Sequence, residues 1–265
     1  MDYNKMSKKI IGWIKQQVND AGLDGVILGA SGGIDSSVAI SLSKKAFPNN
    51  ISALVMPCGN VEKDENDAVK FLKNLNIEYK KINFENLFDN LVSYVDKNSY
   101  SADLEHVENF TEKLALANSK ARIRMIFLYY FAQINNYMVV GTGNRTEEEL
   151  GYFTKYGDGG VDILPLADFF KREVIELGKI LDVPKRILDK TPSGGLWKGQ
   201  SDEKEIGLTY DEMEYGIRKY YKMKLIKDLK IEKDKEYIIK KTAELIKKNQ
   251  HKRNMPPKFE FEREV

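Results

Sequence analysis

Between an apolar run and an apolar helical pattern stands Gly29-Ala30-Ser31-Gly32-Gly33-Ile34-Asp35-Ser36-Ser37. Val26-Ile27-Leu28 before it reads as a buried strand, and Val38, Ala39, Ile40 and Leu42 after it read as a helix. Gly32 and Gly33 can take backbone angles closed to other residues and let a ligand approach the main chain. The amides of the turn and of the first helical turn then converge on one concavity that suits phosphate oxygens. A Walker loop needs a lysine after its glycines, and none follows here. Asp35 takes that place. A bare carboxylate beside phosphates is repulsive, which implies an intervening Mg2+.

The rest of the chain repeats the strand-then-helix rhythm. Met6 to Val18 has the spacing of a lead-in helix. Beyond the glycines a helix is predicted to about Ala46, a strand over Ile51–Pro57 and an amphipathic helix over Glu62–Leu75. A third strand falls at Glu78–Ile82, a helix at Phe84–Val95, a polar loop at Asn98–Asp103 and a long helical pattern at Val107–Ile134. Tyr137–Thr142 supplies a fourth strand. Strands alternating with helices predict an α/β fold, doubly wound, with a mainly parallel sheet, helices on both faces and a C-terminal helical extension. The 265 residues fit one domain, 1–265. Ligands in such sheets sit outside the carboxyl ends of the strands. Both the glycine stretch and Gly141-Thr142-Gly143-Asn144-Arg145-Thr146-Glu147 lie at such ends, so one shared site is expected.

Composition narrows the classes. With 42 basic and 40 acidic residues there is no electrostatic mandate for nucleic acid or an anionic membrane. Cys58 is the single cysteine, which excludes internal disulfides and cysteine-built zinc sites. No run reaches membrane-spanning length and the N-terminus lacks the apolar core of a signal peptide, so a soluble, cytoplasmic protein is expected.

Ser31-Gly32-Gly33-Ile34-Asp35-Ser36-Ser37 resembles the signature of the N-type ATP pyrophosphatases, which hold the β,γ-pyrophosphate of ATP and cleave between the α and β phosphates. The block Glu148-Glu149-Leu150-Gly151-Tyr152-Phe153-Thr154-Lys155-Tyr156-Gly157-Asp158-Gly159-Gly160-Val161-Asp162-Ile163-Leu164-Pro165-Leu166 mixes glycine, charge and aromatics without a core-like period, as binding loops do. It closely resembles the second signature of the NAD synthetases, which amidate deamido-NAD. The likeness extends to Asn118–Met125, Lys171-Arg172-Glu173, Pro192-Ser193 and His251-Lys252-Arg253, and so spans almost the whole chain. Departures are small: Ala30 stands where the family often has a bulkier apolar residue, and Gly143-Asn144 replaces the Asp-His of some members.

The resemblance implies an adenine-nucleotide alpha-hydrolase-like fold and an ammonia-dependent ligase that makes NAD through an acyl-adenylate. Carried over by position, Gly29, Ala30, Ser31, Gly32, Gly33, Ile34, Asp35, Ser36, Thr142, Lys171 and Ser193 contact ATP. Arg122, Lys155, Asp162, His251 and Lys252 contact deamido-NAD. Asp35 and Glu147 hold Mg2+, and Asp35, Lys171 and Glu147 form the catalytic set. ATP, deamido-NAD and ammonia are the implied substrates; the ammonia is free or comes from a partner subunit, because the chain lacks the length for the cysteine amidase domain of glutamine-dependent relatives. Spacing alone would leave Lys171 a solvated helix lysine, Glu147 a favourable charge at a helix start, Arg122 a surface residue and His251 a solvated histidine.

Other readings share these residues. Gly29-Ala30-Ser31-Gly32-Gly33 also satisfies Gly-x-Ser-x-Gly, the nucleophile elbow of serine hydrolases, with Asp162 and His251 following in order. Its oxyanion hole draws on an earlier strand, and only a helix precedes this turn. A tRNA-modifying pyrophosphatase would share the first motif, but neither a basic face nor catalytic cysteines are evident. A non-catalytic nucleotide-binding module would leave Glu147–Asp162 unexplained. Two further expectations concern assembly. Met125–Ala132 reads as apolar nearly all round and so needs burial on more than one side. A homodimer partner could supply that surface, as the resemblance implies, or else the lead-in helix and the Lys219–Lys248 helices could. Gly194–Gly207, with Trp197 among glycines and acids, has the composition of a lid.

Overall fold

The computed structural model describes residues 2–59, 62–95, 104, 107–193, 197, 200–225, 232–259 and 261. The elements run α1 Tyr3–Asp20, β1 Gly25–Gly29, α2 Ile34–Ala46, β2 Ile51–Val55, α3 Glu62–Asn74, β3 Glu78–Lys81, α4 Glu85–Val95, α5 Phe110–Asn135 and β4 Tyr137–Val139. There follow α6 Arg145–Leu150, α7 Lys171–Ile180, α8 Lys185–Leu188, α9 Asp202–Ile206, α10 Tyr210–Leu225, α11 Glu236–Lys248 and α12 Gln250–Arg253. The chain divides into two compact units, residues 1–145 with 153–207, and residues 146–152 with 208–265.

In the first unit the four strands pair in parallel in the order β3-β2-β1-β4. β1 is central because Val26-Ile27-Leu28 is apolar at every position and can be buried on both faces. The two-residue period of a strand sorts its side chains. Val26, Leu28, Ala53, Val55, Met138 and Val140 enter one core, while Ile27, Leu54 and Val139 enter the other. The first core is closed by α1, α2 and α7, which pack on one another, and by Ala68, Phe71 and Leu72 of α3. The second is closed by α5 against β1 and β4, and by Phe84 together with Phe88 and Val92 of α4. Each fully buried aliphatic side chain contributes roughly 1.5–3 kcal/mol. The doubly wound parallel architecture agrees with expectation.

The strand order reverses between β1 and β4, since β1 to β3 grow one way and β4 returns to the other side of β1. The crevice at such a switch point receives ligands. It places the loop after β1 beside the segment after β4.

Several boundaries shift by a residue or more, and three of the shifts bear on the site and the core. The second strand stops at Val55 rather than Pro57. The fourth stops at Val139, with Val140 making a single parallel bridge to Ile163. The long helix starts at Phe110 rather than Val107, because the Asn109 side chain accepts from Thr111 N at 2.9 Å and caps it. The expected loop at Asn98–Asp103 lies outside the described residues. Of the expected lid, 194–196 and 198–199 also lie outside them, and Asp202–Ile206 is helical.

Met125–Ala132 is apolar on both sides but buried on only one. Leu128 and Ala132 are buried and Phe127 and Phe131 pack against the second core, but Ile126, Tyr130 and Ile134 are 59, 60 and 62% exposed. The lead-in helix α1 does not cover this face, since it packs on α2 and α7.

In the second unit α10 packs closely on α11. A Cβ at Gly216 would sit 2.2 Å from Thr242 Oγ1, so only glycine allows that approach. No helix among the described residues is long and apolar enough to cross a membrane.

Candidate active site

The loop after β1 is organised by its own hydroxyls. Ser31 Oγ and Ser36 Oγ lie 2.9 Å apart, and Gly33 N donates to Ser31 Oγ at 3.2 Å. Ser36 Oγ and Ser37 Oγ both donate to Gly33 O, at 3.0 and 2.9 Å. Gly32 adopts φ +78°, the left-handed region that favours glycine. Gly33 then serves as N-cap of α2 without a capping side chain. The first-turn amides of α2 are left for an incoming anion.

Asp35 stands in that first turn. Its Oδ2 pairs with Lys171 Nζ, and its Oδ1 accepts from Asn144 Nδ2 at 3.1 Å. Lys171 is buried and Asn144 wholly so. A buried lysine stripped of its carboxylate would cost several kcal/mol. Lys171 is thus no solvated helix residue. It opens α7, where Phe170 N donates to Glu173 Oε2 at 2.8 Å and the chain turns into the helix. Three elements therefore meet on one carboxylate. Thr142 lies just beyond the Val140 bridge at the end of β4, and Ser193 is exposed beyond α8.

This donor set fits Mg2+. Nucleotide-bound Mg2+ uses one or two carboxylates, the remaining ligands being phosphate oxygens and water, and does not need an all-protein cage. Asp35 offers one such carboxylate in the first turn of α2, its oxygens also bonded by Lys171 and Asn144. Among the described residues no group of three histidine, cysteine or acidic side chains is clustered, as a cage would require.

Three of the residues expected at deamido-NAD come together along α5. Arg122 Nε donates to Lys155 O at 3.4 Å, and Lys155 Nζ lies 5.2 Å from the Tyr156 ring centre. The glycine-rich loop is fixed by Thr154 N to Asp158 Oδ1 at 2.9 Å and by Thr154 Oγ1 to Asn118 Oδ1 at 2.6 Å. Asp162 accepts from Val139 N and from Tyr129 Oη, each at 2.8 Å. Burial, and then the bond to Asp162, push the Tyr129 phenol well above its ordinary range. Tyr129 follows Arg122 by two helical turns, about 10 Å along α5. Around Tyr129 and Asp162, further along α5 from Arg122, opens a cleft of about 530 Å3 lined also by Met125, Ile126, Tyr130, Gln133 and Tyr137.

The remaining expected residues belong to the second unit. Glu147 lies on α6, where Glu147 O accepts from Tyr152 N at 2.9 Å. Lys252 Nζ donates to Gly151 O at 2.7 Å and Asn249 Nδ2 to Leu150 O at 2.8 Å, so the tail seals the carboxyl end of α6. His251 is exposed, with Nδ1 at 3.2 Å from Lys248 O. Glu149 Oε2 accepts from Tyr221 Oη at 2.5 Å and from Arg253 Nη1 at 2.9 Å. Burial, then Glu149, raise the Tyr221 phenol.

The serine-hydrolase elbow fails on this geometry. Ser31 Oγ serves the loop, and both Asp162 oxygens take bonds from Tyr129 and Val139 rather than from an imidazole. Sequence reasoning missed Asn144 and Tyr129. A lone asparagine after Gly143 reads as a turn residue, and Tyr129 is one aromatic in an apolar run.

Comparison with known proteins follows the same lines. The model of the NAD synthase family matches residues 6–256, which spans both units. The NH(3)-dependent NAD(+) synthetase of Finegoldia magna is 40% identical over 99% of this chain and 99% of its own length. Among solved structures, the NMN synthetase of Francisella tularensis superposes with a TM-score of 0.83 at 34% identity, covering 98% of this chain and all of that one. The NH3-dependent NAD synthetase of Campylobacter jejuni does so with a TM-score of 0.77 at 28% identity and the same coverage.

Proposed function

The chain belongs to the NAD synthase family, and from that premise we propose that it amidates deamido-NAD with ammonia at the expense of ATP. The observation that carries the reading is Asp35, set in the first turn of α2 and held by buried Lys171 and Asn144. The nicotinate carboxylate attacks the α-phosphorus of ATP and the bond to pyrophosphate breaks. Ammonia then adds to the acyl carbon of the adenylate, AMP leaves, and a proton is released. Such transfers ask mainly for positioning and charge neutralisation. The loop amides and the Lys171 ammonium supply both towards pyrophosphate. Thr142 and Ser193 are proposed as further ATP contacts. Mg2+ would be held by Asp35, with Glu147 carried into the proposal by the family resemblance alone, and would neutralise phosphate charge. Arg122, Lys155, Asp162, His251 and Lys252 are proposed for the dinucleotide acid. Chain 1–265 is taken as one functional domain working in the cytoplasm, where ATP is held.

Ammonia as nitrogen source is supported by Cys58. A cysteine amidase needs a reactive thiolate, yet this single cysteine is buried and its thiol is pushed up to about 11 by that burial, despite Lys120 and Arg124 nearby. The exposed Ile126, Tyr130 and Ile134 support a homodimer through α5, whose interface would exceed about 2,000 Å2 if obligate.

The test is product formation. ATP, ammonium and deamido-NAD should yield NAD and AMP in equal amounts. Nicotinate mononucleotide, the acid that an amidation to NMN would need, should be the poorer substrate. Preference for the mononucleotide would overturn the dinucleotide assignment, and release of ADP would overturn adenylation.

A further inference from the structure

We infer that Lys190 is a positioning residue of the phosphate loop, holding the Gly32 carbonyl away from the concavity that receives the phosphates. The inference rests on the ATP reading above. Lys190 Nζ donates to Gly32 O at 2.9 Å, to Asp64 Oδ1 at 2.6 Å and to Asp67 Oδ2 at 2.8 Å. An ammonium has three donors, and all three are used.

The peptide it pins is the weakest point of the loop. Between two glycines no side chain resists rotation of the Gly32–Gly33 plane, and Gly32 already sits at φ +78°. In a trans peptide C=O and N–H point opposite ways. Fixing Gly32 O on Lys190 therefore turns Gly33 N–H towards the Ser31 hydroxyl, where it is found at 3.2 Å. A rotated peptide would present a carbonyl oxygen to phosphate oxygens and remove an amide donor.

The anchor is firm. Asp64 and Asp67 share one face of α3, three residues apart, and a Cβ at Gly32 would lie 2.1 Å from Asp64 O, so the loop rests on that helix. Asp67 is buried and also takes Arg186 Nε on Oδ1 at 2.8 Å. Burial alone would raise its carboxyl. The Lys190 bond and charge, with the Arg186 charge, outweigh burial and hold it below the ordinary carboxylate range. Lys190 also lies three residues before Ser193, so the same side chain ties the loop to a segment proposed to meet ATP.

An ion-pair cluster that merely joins the end of α8 to α3 would not need the third bond. Arg186→Met supplies the control, because it breaks the Asp67 pair and leaves Gly32 alone. Calorimetric titration with ATP and with inorganic pyrophosphate is the readout, beside thermal midpoints. Lys190→Met should weaken both ligands about tenfold, the weight of one hydrogen bond to a charged group, and leave the KM for deamido-NAD within about twofold. Lys190→Arg should recover part of the loss. Lys190→Gln should move in the same direction and serves if the Met variant does not fold. Arg186→Met should lower the midpoint without weakening ATP. Unchanged ATP and pyrophosphate binding in Lys190→Met, or equal weakening in Arg186→Met, would overturn the inference. Wild-type protein that binds ATP but makes no amide would overturn the functional reading alone, since the binding titrations still decide the role of Lys190.

Discussion

The phosphate loop and the outer face of α5 are built on opposite plans. Around the loop, the Asp35 carboxylate and the Gly32 carbonyl are met by side chains from three other places: Asn144 after β4, Lys171 at the start of α7 and Lys190 beyond α8. Along α5, Arg122 and Asp162 bond to backbone or to a neighbour in the same strip, while Ile126, Tyr130 and Ile134 face outward. One region is finished within the chain. The other has charges in place and an apolar face left exposed among the described residues. A site that must stabilise charge on pyrophosphate gains from groups fixed in advance, which need no reorganisation during reaction.

Breaking the loop should therefore cost most. Asp35→Asn keeps the shape and removes the charge, and should lower turnover at least about a hundredfold, on the order of 3 kcal/mol, in a protein that remains folded by circular dichroism. Near-normal turnover with an unchanged Mg2+ requirement would remove Asp35 from the mechanism. Asn144→Ala, which frees one Asp35 oxygen, should cost about tenfold in kcat, as the loss of one hydrogen bond to a charged group does.

The α5 strip should respond in KM instead. Lys155→Ala and Tyr129→Phe should raise the KM for deamido-NAD more than that for ATP, by about three- to tenfold. Equal effects on both substrates would mean that the strip only folds the glycine-rich loop. Ile126→Asp with Tyr130→Asp should convert a dimer to monomer in sedimentation equilibrium, because a charge buried in an apolar interface is costly. These exposed positions test assembly better than Phe127, which stacks edge-on to Phe84 at 5.8 Å and whose loss would damage the core. A monomer of full activity before mutation would end the dimer proposal. The smallest effect concerns Cys58: with its thiol raised to about 11, native protein at pH 8 should react with a thiol reagent far more slowly than unfolded protein. Its contribution to stability is present below the ordinary thiol range and is lost as pH climbs through about 11.

The same contrast sorts what was legible in the sequence. Val26-Ile27-Leu28 declared a buried strand because every position is apolar, and Gly32-Gly33 followed by Ile34-Asp35 declared a turn into a helix start, with Gly32 in the left-handed region. The start of α7 was hidden, since Phe170 at its N-cap offers no capping side chain and the helix is opened by Phe170 N donating to the Glu173 side chain. Lys190 was hidden by distance, because 158 residues separate it from Gly32. The apolar outer face of α5 was legible, but which residues lie on it was not, because a run of apolar residues does not report which side meets the core. Charges that act within a few residues are readable, whereas those meeting across the fold need the sheet topology first.

The central claim is that the loop around Asp35 activates a carboxylate of the dinucleotide acid by adenylation, and isotope exchange between pyrophosphate and ATP tests it most directly. With Mg2+ and without ammonia, label from pyrophosphate should enter ATP only when deamido-NAD is present, and Asp35→Asn should abolish the exchange. Exchange that proceeds without deamido-NAD, or NAD formation with no exchange under any ammonia-free condition, would contradict it.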